Sequence, residues 1–253
     1  MCFDHDSRPP IPPISGAAVS HEDLVLEAAD GNRLAAFAAL PDESSGVGVV
    51  VLPDVRGLYR FYEELALRFA ERGYSAAAID YFGRTAGVGK RDASFEYMPH
   101  VDETTQDNIQ MDVGAAVAHV RSPEGGSARA VFTVGFCFGG RHSWLATAYG
   151  HDLAGAIGFY GRPGPGRDGS PGPQQRAAEL RGPILGLMGG DDPAIPVEDV
   201  NAFGDALTAA GIAHEIVIYP GAPHSFFDRK HEEFAAESED AWKRVLTFLE
   251  RHS

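Results

Sequence analysis

One stretch limits the fold more than any other. An apolar, β-branched run (residues 130–134) leads without a break into Gly135-Phe136-Cys137-Phe138-Gly139-Gly140-Arg141. A helix-like apolar segment follows near Trp144. The run reads as a buried strand, and the glycines on either side of Cys137 read as a sharp strand-to-helix turn. Such a turn holds its central residue in an awkward backbone conformation, so the neighbours must be small for strand and helix to pass closely. This is the nucleophile elbow, with cysteine where serine is usual. The helix N-terminus behind the sulfur offers free N–H groups and a positive dipole end, which favour thiolate and oxyanion alike. The N–H of Phe138 is the expected first donor of an oxyanion hole. The plain alternative is a buried, inert Cys137 in a glycine-rich turn.

A buried central strand needs partners, and the rest of the chain supplies them. Strand-like runs fall at residues 22–29 and 33–40, around the hairpin signal Asp30-Gly31, and at 48–52, 75–79, 155–160, 184–188 and 214–219. Helical spacing falls at residues 61–72, 104–120, 197–210 and 232–250, with a short helix at 174–180. The reading gives an α/β chain with a mostly parallel eight-stranded sheet and helices on both faces, in which ligands gather at the carboxyl ends of the strands. Residues 85–103 and 161–173 read as irregular excursions. The Pro-rich residues 1–20 read as an extended arm, and 21–253 as one domain. Of 253 residues 44% are hydrophobic, enough for one large core.

Charge and cysteine content exclude several functions. A formal charge of −15 speaks against nucleic acid and anionic membranes as partners. The two cysteines, Cys2 and Cys137, form no disulfide framework and have no metal spacing. Cys2, Asp4, His5 and Asp6 match no metal motif and read as a plain polar terminus. No cofactor is called for. The N-terminus has no signal-peptide pattern and no run reaches transmembrane length, so a cytoplasmic location is expected. Nothing fixes the oligomeric state.

Two further strand ends carry polar chemistry. Gly189-Gly190-Asp191-Asp192-Pro193-Ala194-Ile195-Pro196 follows one, and Pro223-His224-Ser225-Phe226 follows the last. Cys137, Asp192 and His224 thus occur in the order nucleophile, acid, histidine that elbow-bearing hydrolases use. His224 is the expected base and Asp192 the carboxylate that orients it, with Asp191 as a turn residue.

From about residue 22 to the last helix the chain resembles the dienelactone hydrolase family of α/β-hydrolases. The resemblance rests on Gly135-Phe-Cys-Phe-Gly-Gly, Gly189-Gly-Asp-Asp-Pro-Ala-Ile-Pro and Pro223-His-Ser-Phe. It implies hydrolysis of an unsaturated, carboxylated lactone by a Cys-His-Asp triad, aided by a glutamate and two arginines. The glutamate falls on Asp54, in Pro53-Asp54-Val55-Arg56-Gly57, as a thiol-activating candidate one methylene shorter; loop capping is the other reading. The N–H of Val55 would be the second oxyanion donor. One arginine falls on Arg84, while the other position holds Asp228, with Arg56, Arg60, Arg141 and Arg162 as possible replacements. Tyr81, Tyr160 and Ser225 are expected to line the substrate pocket. The expected partner is a small ester or lactone. The rival readings are an esterase or thioesterase for neutral substrates, and a non-catalytic ligand-binding protein on the same scaffold.

Overall fold

The computed structural model describes residues 7–17 and 19–253. Cys2, Asp4, His5 and Asp6 lie outside the described residues. Eight strands among them form one sheet: β1 (Val19–Glu27), β2 (Arg33–Pro41), β3 (Val47–Leu52), β4 (Ser75–Ile79), β5 (Ala130–Phe136), β6 (Gly155–Phe159), β7 (Ile184–Gly189) and β8 (His214–Tyr219). Their spatial order is β1-β2-β4-β3-β5-β6-β7-β8. β1 and β2 join antiparallel and everything from β4 to β8 runs parallel. The turn between β1 and β2 is closed by the Gly31 N–H on Ala28 O at 2.9 Å, with Gly31 at φ 83°.

Burial explains the order. β3 and β5 are apolar on both faces and occupy the middle of the sheet, whereas β1 alternates toward solvent and forms an edge. Within β3, Val49 and Val51 join one core and Val50 and Leu52 the other, as the two-residue period of a strand requires. The first core is covered by α1 (Arg60–Ala70) and α7 (Ala235–His252), through Leu65, Phe69, Trp242, Val245 and Phe248. The second is covered by the last of the three helices between β4 and β5, residues 106–121, through Ile109, Val113, Val117 and Val120.

The excursions hold more order than the sequence suggests. Residues 85–103 contain the second half of α2 (Gly83–Ala86) and all of α3 (Tyr97–Glu103), which leads into α4 (Gln106–Arg121). The helix after the turn, α5 (Phe138–Ala146), begins directly behind Cys137 rather than near Trp144. The expected helix at 174–180 is a single 3₁₀ turn, Ala177–Glu179, and α6 (Val197–Ala209) follows β7. The described part of the arm is pinned near α1: Ile11 is buried in the first core, and the Ile14 N–H donates to Glu71 Oε2 at 3.0 Å. No helix among the described residues is long and apolar enough to cross a membrane.

Candidate active site

Cys137 sits between the last residue of β5 and the first of α5, at φ 55° and ψ −111°. A non-glycine residue there is strained, and strain of this kind persists only where the surroundings enforce it. The surroundings are backbone. The Cys137 N–H donates to Phe159 O at 3.0 Å, and the Arg141 N–H returns to Cys137 O at 3.3 Å. A methyl group on Gly135 would stand 2.0 Å from Gly139 O, and one on Gly139 would stand 2.1 Å from Leu52 O. Neither glycine can carry a side chain, because β3, β5 and α5 approach one another through main chain alone.

His224 lies in the turn after β8, and its Nδ1 is 2.6 Å from Asp192 Oδ2. The Asp192 side chain is 1% exposed, and its other oxygen accepts the Ala194 N–H at 2.8 Å. Asp191, beside it, is exposed. The Tyr160 ring packs against the imidazole at a centroid separation of 4.8 Å. Cys137, His224, Tyr160, Val55 and Phe138 all face one cavity of about 620 Å³. Its outer wall comes from α3, the start of α4 and the 161–173 loop, through residues such as Val101, Gln106 and Ser170. Gln106 ties these pieces together, donating from Nε2 to Ser170 Oγ at 2.6 Å and to Pro171 O at 2.9 Å.

Four expected site residues have other duties. Arg84 does not line the cavity. Its guanidinium is held by Asp30 at 2.8 Å, Asp112 at 2.9 Å and Asn108 O at 3.2 Å, three partners within the fold. Burial, opposed by Asn32 and Arg84, pushes Asp112 up to about 6. Tyr81 is also absent from the cavity wall. Its hydroxyl donates to Pro53 O at 2.8 Å, and burial, followed by the charges of Asp54 and Asp80, pushes its pKa well up. Ser225 is buried at φ 65°, and its carbonyl closes a turn by accepting from Asp228 N and Lys230 N.

Asp54 is fully buried and does not face the cavity. Its carboxylate takes the Arg56 N–H at 2.8 Å and the Arg56 Nη2 at 3.0 Å. This is the loop-capping geometry, reinforced by a buried ion pair.

Asp228 was legible only as a missing arginine. It is fully buried, and its Oδ2 accepts the Tyr160 hydroxyl at 2.7 Å while Oδ1 accepts the Arg229 N–H. Burial pushes it up to about 8, opposed by those hydrogen bonds and by His224, and assisted by the charge of Asp54. Arg141 and His142 also face the cavity, as do Arg162 and Arg167 of the 161–173 loop. Burial, reinforced by Arg141, holds His142 down at about 3, so the ring is neutral.

A parallel sheet with two antiparallel strands at one end, and a strained residue between its central strand and the following helix, define an α/β-hydrolase fold. The chain belongs to the dienelactone hydrolase family, whose sequence profile it matches over residues 34–253. A Yersinia pestis relative named "Putative carboxymethylenebutenolidase" is 31% identical over 227 residues, covering 88% of this chain and 85% of the relative. A Rhodococcus opacus carboxymethylenebutenolidase is 29% identical, covering 100% of this chain and 97% of the relative. A crystal structure titled as a "Putative Dienelactone Hydrolase" from Klebsiella pneumoniae superposes with a TM-score of 0.79 at 26% identity, over 92% of this chain and 98% of that one. The chain is therefore a hydrolase of the dienelactone hydrolase type.

Proposed function

We propose that the protein opens small esters or lactones through a covalent thioester on Cys137. His224 takes the thiol proton at Nε2, and the sulfur bonds to the acyl carbon. The carbonyl oxygen becomes an oxyanion, received by the N–H groups of Phe138 and Val55. When the tetrahedral adduct collapses, the C–O bond to the leaving oxygen breaks and that oxygen takes the proton back from His224. In a lactone the leaving oxygen stays tethered to the acyl group. Water, giving its proton to His224, then attacks the thioester, and the second collapse releases the acid and restores the thiol. Asp192 holds His224 in the tautomer with the proton on Nδ1, so that Nε2 carries the lone pair that takes the thiol proton, and stabilises the charged ring.

The observation that carries this reading is a strained cysteine at a helix N-terminus, sharing a cavity with a histidine that a buried carboxylate holds at 2.6 Å. A purely ligand-binding protein has no need of that strain. Cys137→Ala is expected to abolish hydrolysis of p-nitrophenyl butyrate with the melting curve little changed. Mass spectrometry of the wild type quenched with a slow ester should find the acyl mass on the peptide containing Cys137. Wild-type turnover by the alanine variant would end the proposal, and an active enzyme whose adduct lies elsewhere would move the nucleophile.

A further inference from the structure

With Arg84 committed to Asp30 and Asp112, an anionic substrate would need a different cation, and the cavity wall contains one that is unusually placed. Arg141 lies one turn of α5 beyond Cys137, about 6 Å along the helix axis at the usual rise per residue. It is 6% exposed. Among the described residues its guanidinium donates only to main-chain oxygens: Gly164 O, Arg162 O at 3.5 Å and Pro171 O at 3.5 Å. Among the described residues no carboxylate stands within ion-pair distance of it.

The neighbouring charges sharpen this. Burial lowers Arg141 to about 10, so it is still a cation at neutral pH. His142, next along the helix, is neutral. Asp168 lines the same cavity and is close enough for Arg141 to feel its charge; its Oδ1 accepts the Ser170 hydroxyl at 2.6 Å and the Ser170 N–H at 3.0 Å, and it forms no ion pair with Arg141 among the described residues. Arg167 faces Asp102 at 3.9 Å. Arg162 is exposed at the cavity wall and forms no ion pair among the described residues. The wall therefore presents two cations without a carboxylate partner, on a chain whose net charge is −15. Carbonyl dipoles satisfy the hydrogen-bonding demand of a buried guanidinium, but they do not neutralise its charge.

We propose that Arg141, assisted by Arg162, is the anion-recognition site of this cavity and selects esters or lactones that carry a carboxylate a few bonds from the scissile carbonyl. A planar guanidinium matches a carboxylate, and its hydrogen bonds are charge-assisted. The inference rests on the hydrolase reading above and adds the residues that choose the substrate. The competing account makes Arg141 a staple that ties the 161–173 loop to α5 through three carbonyls.

The test compares kcat/KM for two matched pairs. One is p-nitrophenyl butyrate against the mono-p-nitrophenyl ester of succinic acid. The other is methyl 4-acetoxybenzoate against 4-acetoxybenzoate, which puts the carboxylate on the leaving group. The wild type should prefer the charged member of at least one pair. Arg141→Gln should lower that charged-to-neutral ratio by about 10- to 100-fold. Arg162→Gln, an exposed change that the fold tolerates, should lower it several-fold, and it keeps the idea testable if the Arg141 variant fails to fold. No preference in the wild type, or ratios unchanged in the variants, would overturn the site and leave Arg141 a staple. A binding arm is independent of turnover. Millimolar succinate should raise the wild-type Tm above that in chloride of equal ionic strength, and should not do so in either variant. A retained succinate effect with no hydrolysis of any ester would sink the hydrolase reading but not the site. Hydrolysis without a charged preference or a succinate effect would sink the site alone.

Discussion

Asp192→Asn tests the proposed mechanism at the bond that does most to set it. Asp192 reaches His224 at 2.6 Å with a side chain that is 1% exposed, so solvent neither screens nor replaces the contact. A hydrogen bond to a charged group contributes about 1.5–3 kcal/mol, and each 1.36 kcal/mol is tenfold in rate, which gives a loss of about 10- to 150-fold in kcat. The amide can also do further harm. Its single oxygen is drawn to the Ala194 N–H, the partner of the other carboxylate oxygen at 2.8 Å. That turns the NH₂ toward Nδ1 and favours a ring protonated on Nε2, which cannot accept the thiol proton. In serine proteases the corresponding change costs on the order of 10⁴-fold. A thiol ionises more readily than a hydroxyl, so the loss here should fall between these two limits. The assay is kcat on p-nitrophenyl butyrate together with the pH dependence of Cys137 alkylation by iodoacetamide, with Asp191→Asn as control. Asp191 is exposed, so its amide should behave as wild type. Equal losses in the two variants, or a larger loss from Asp191, would refute the reasoning and move the orienting role.

Arg84→Met should leave the charged-to-neutral ratio unchanged but cost about 1–3 kcal/mol of stability, because the Asp112 carboxylate, 1% exposed, loses its cation. At about 2–4 °C per kcal/mol for a chain of this size, the melting temperature should fall by several degrees, and a selective loss on charged esters would instead put Arg84 back at the ligand. Asp228→Asn should stabilise the protein relative to wild type progressively as pH rises. A folded pKa of about 8, against an ordinary 3.8, means that the wild-type carboxyl's contribution is full below the unfolded value and is lost as pH climbs toward 8. Melting curves at pH 5 and pH 8.5 read this directly, and a pH-independent difference between the two proteins would show that Asp228 is ionised throughout.

The sheet was legible because its signals are local. β3 and β5 are short apolar runs that end in turn residues, and Asp192 and His224 were located by their distance past a strand. α5 was read late because Gly139 and Gly140 weaken any helical pattern, each by about 1 kcal/mol relative to alanine. In α3, Pro99 hides a seven-residue helix. The surroundings of Arg84 were hidden for a different reason. Its partners Asp30 and Asp112 come from the β1–β2 turn and from α4, and no sequence spacing reports that they meet. The same holds for Tyr81, whose hydroxyl meets a main-chain oxygen 28 residues away.

The charges around His224 were also beyond the sequence, and they bear on how a substrate would lie. The family resemblance implies a glutamate where this chain has Asp54 and an arginine where it has Asp228, so acids occupy both positions. Asp54 is short enough for Arg56, two residues on, to bond it from both main chain and side chain. Asp228 is left with a tyrosine hydroxyl and one N–H, and its raised pKa registers Asp54 nearby. The ground behind Tyr160 and His224 is thus hostile to a second anion at any pH where Asp228 ionises. The same cavity wall carries Arg141 and Arg162, two cations that form no ion pair among the described residues. A carboxylated substrate is drawn to these cations at any pH, and is repelled near Asp228 as well once that carboxyl ionises, so its anion should point toward the 161–173 loop, with its scissile carbonyl over Cys137.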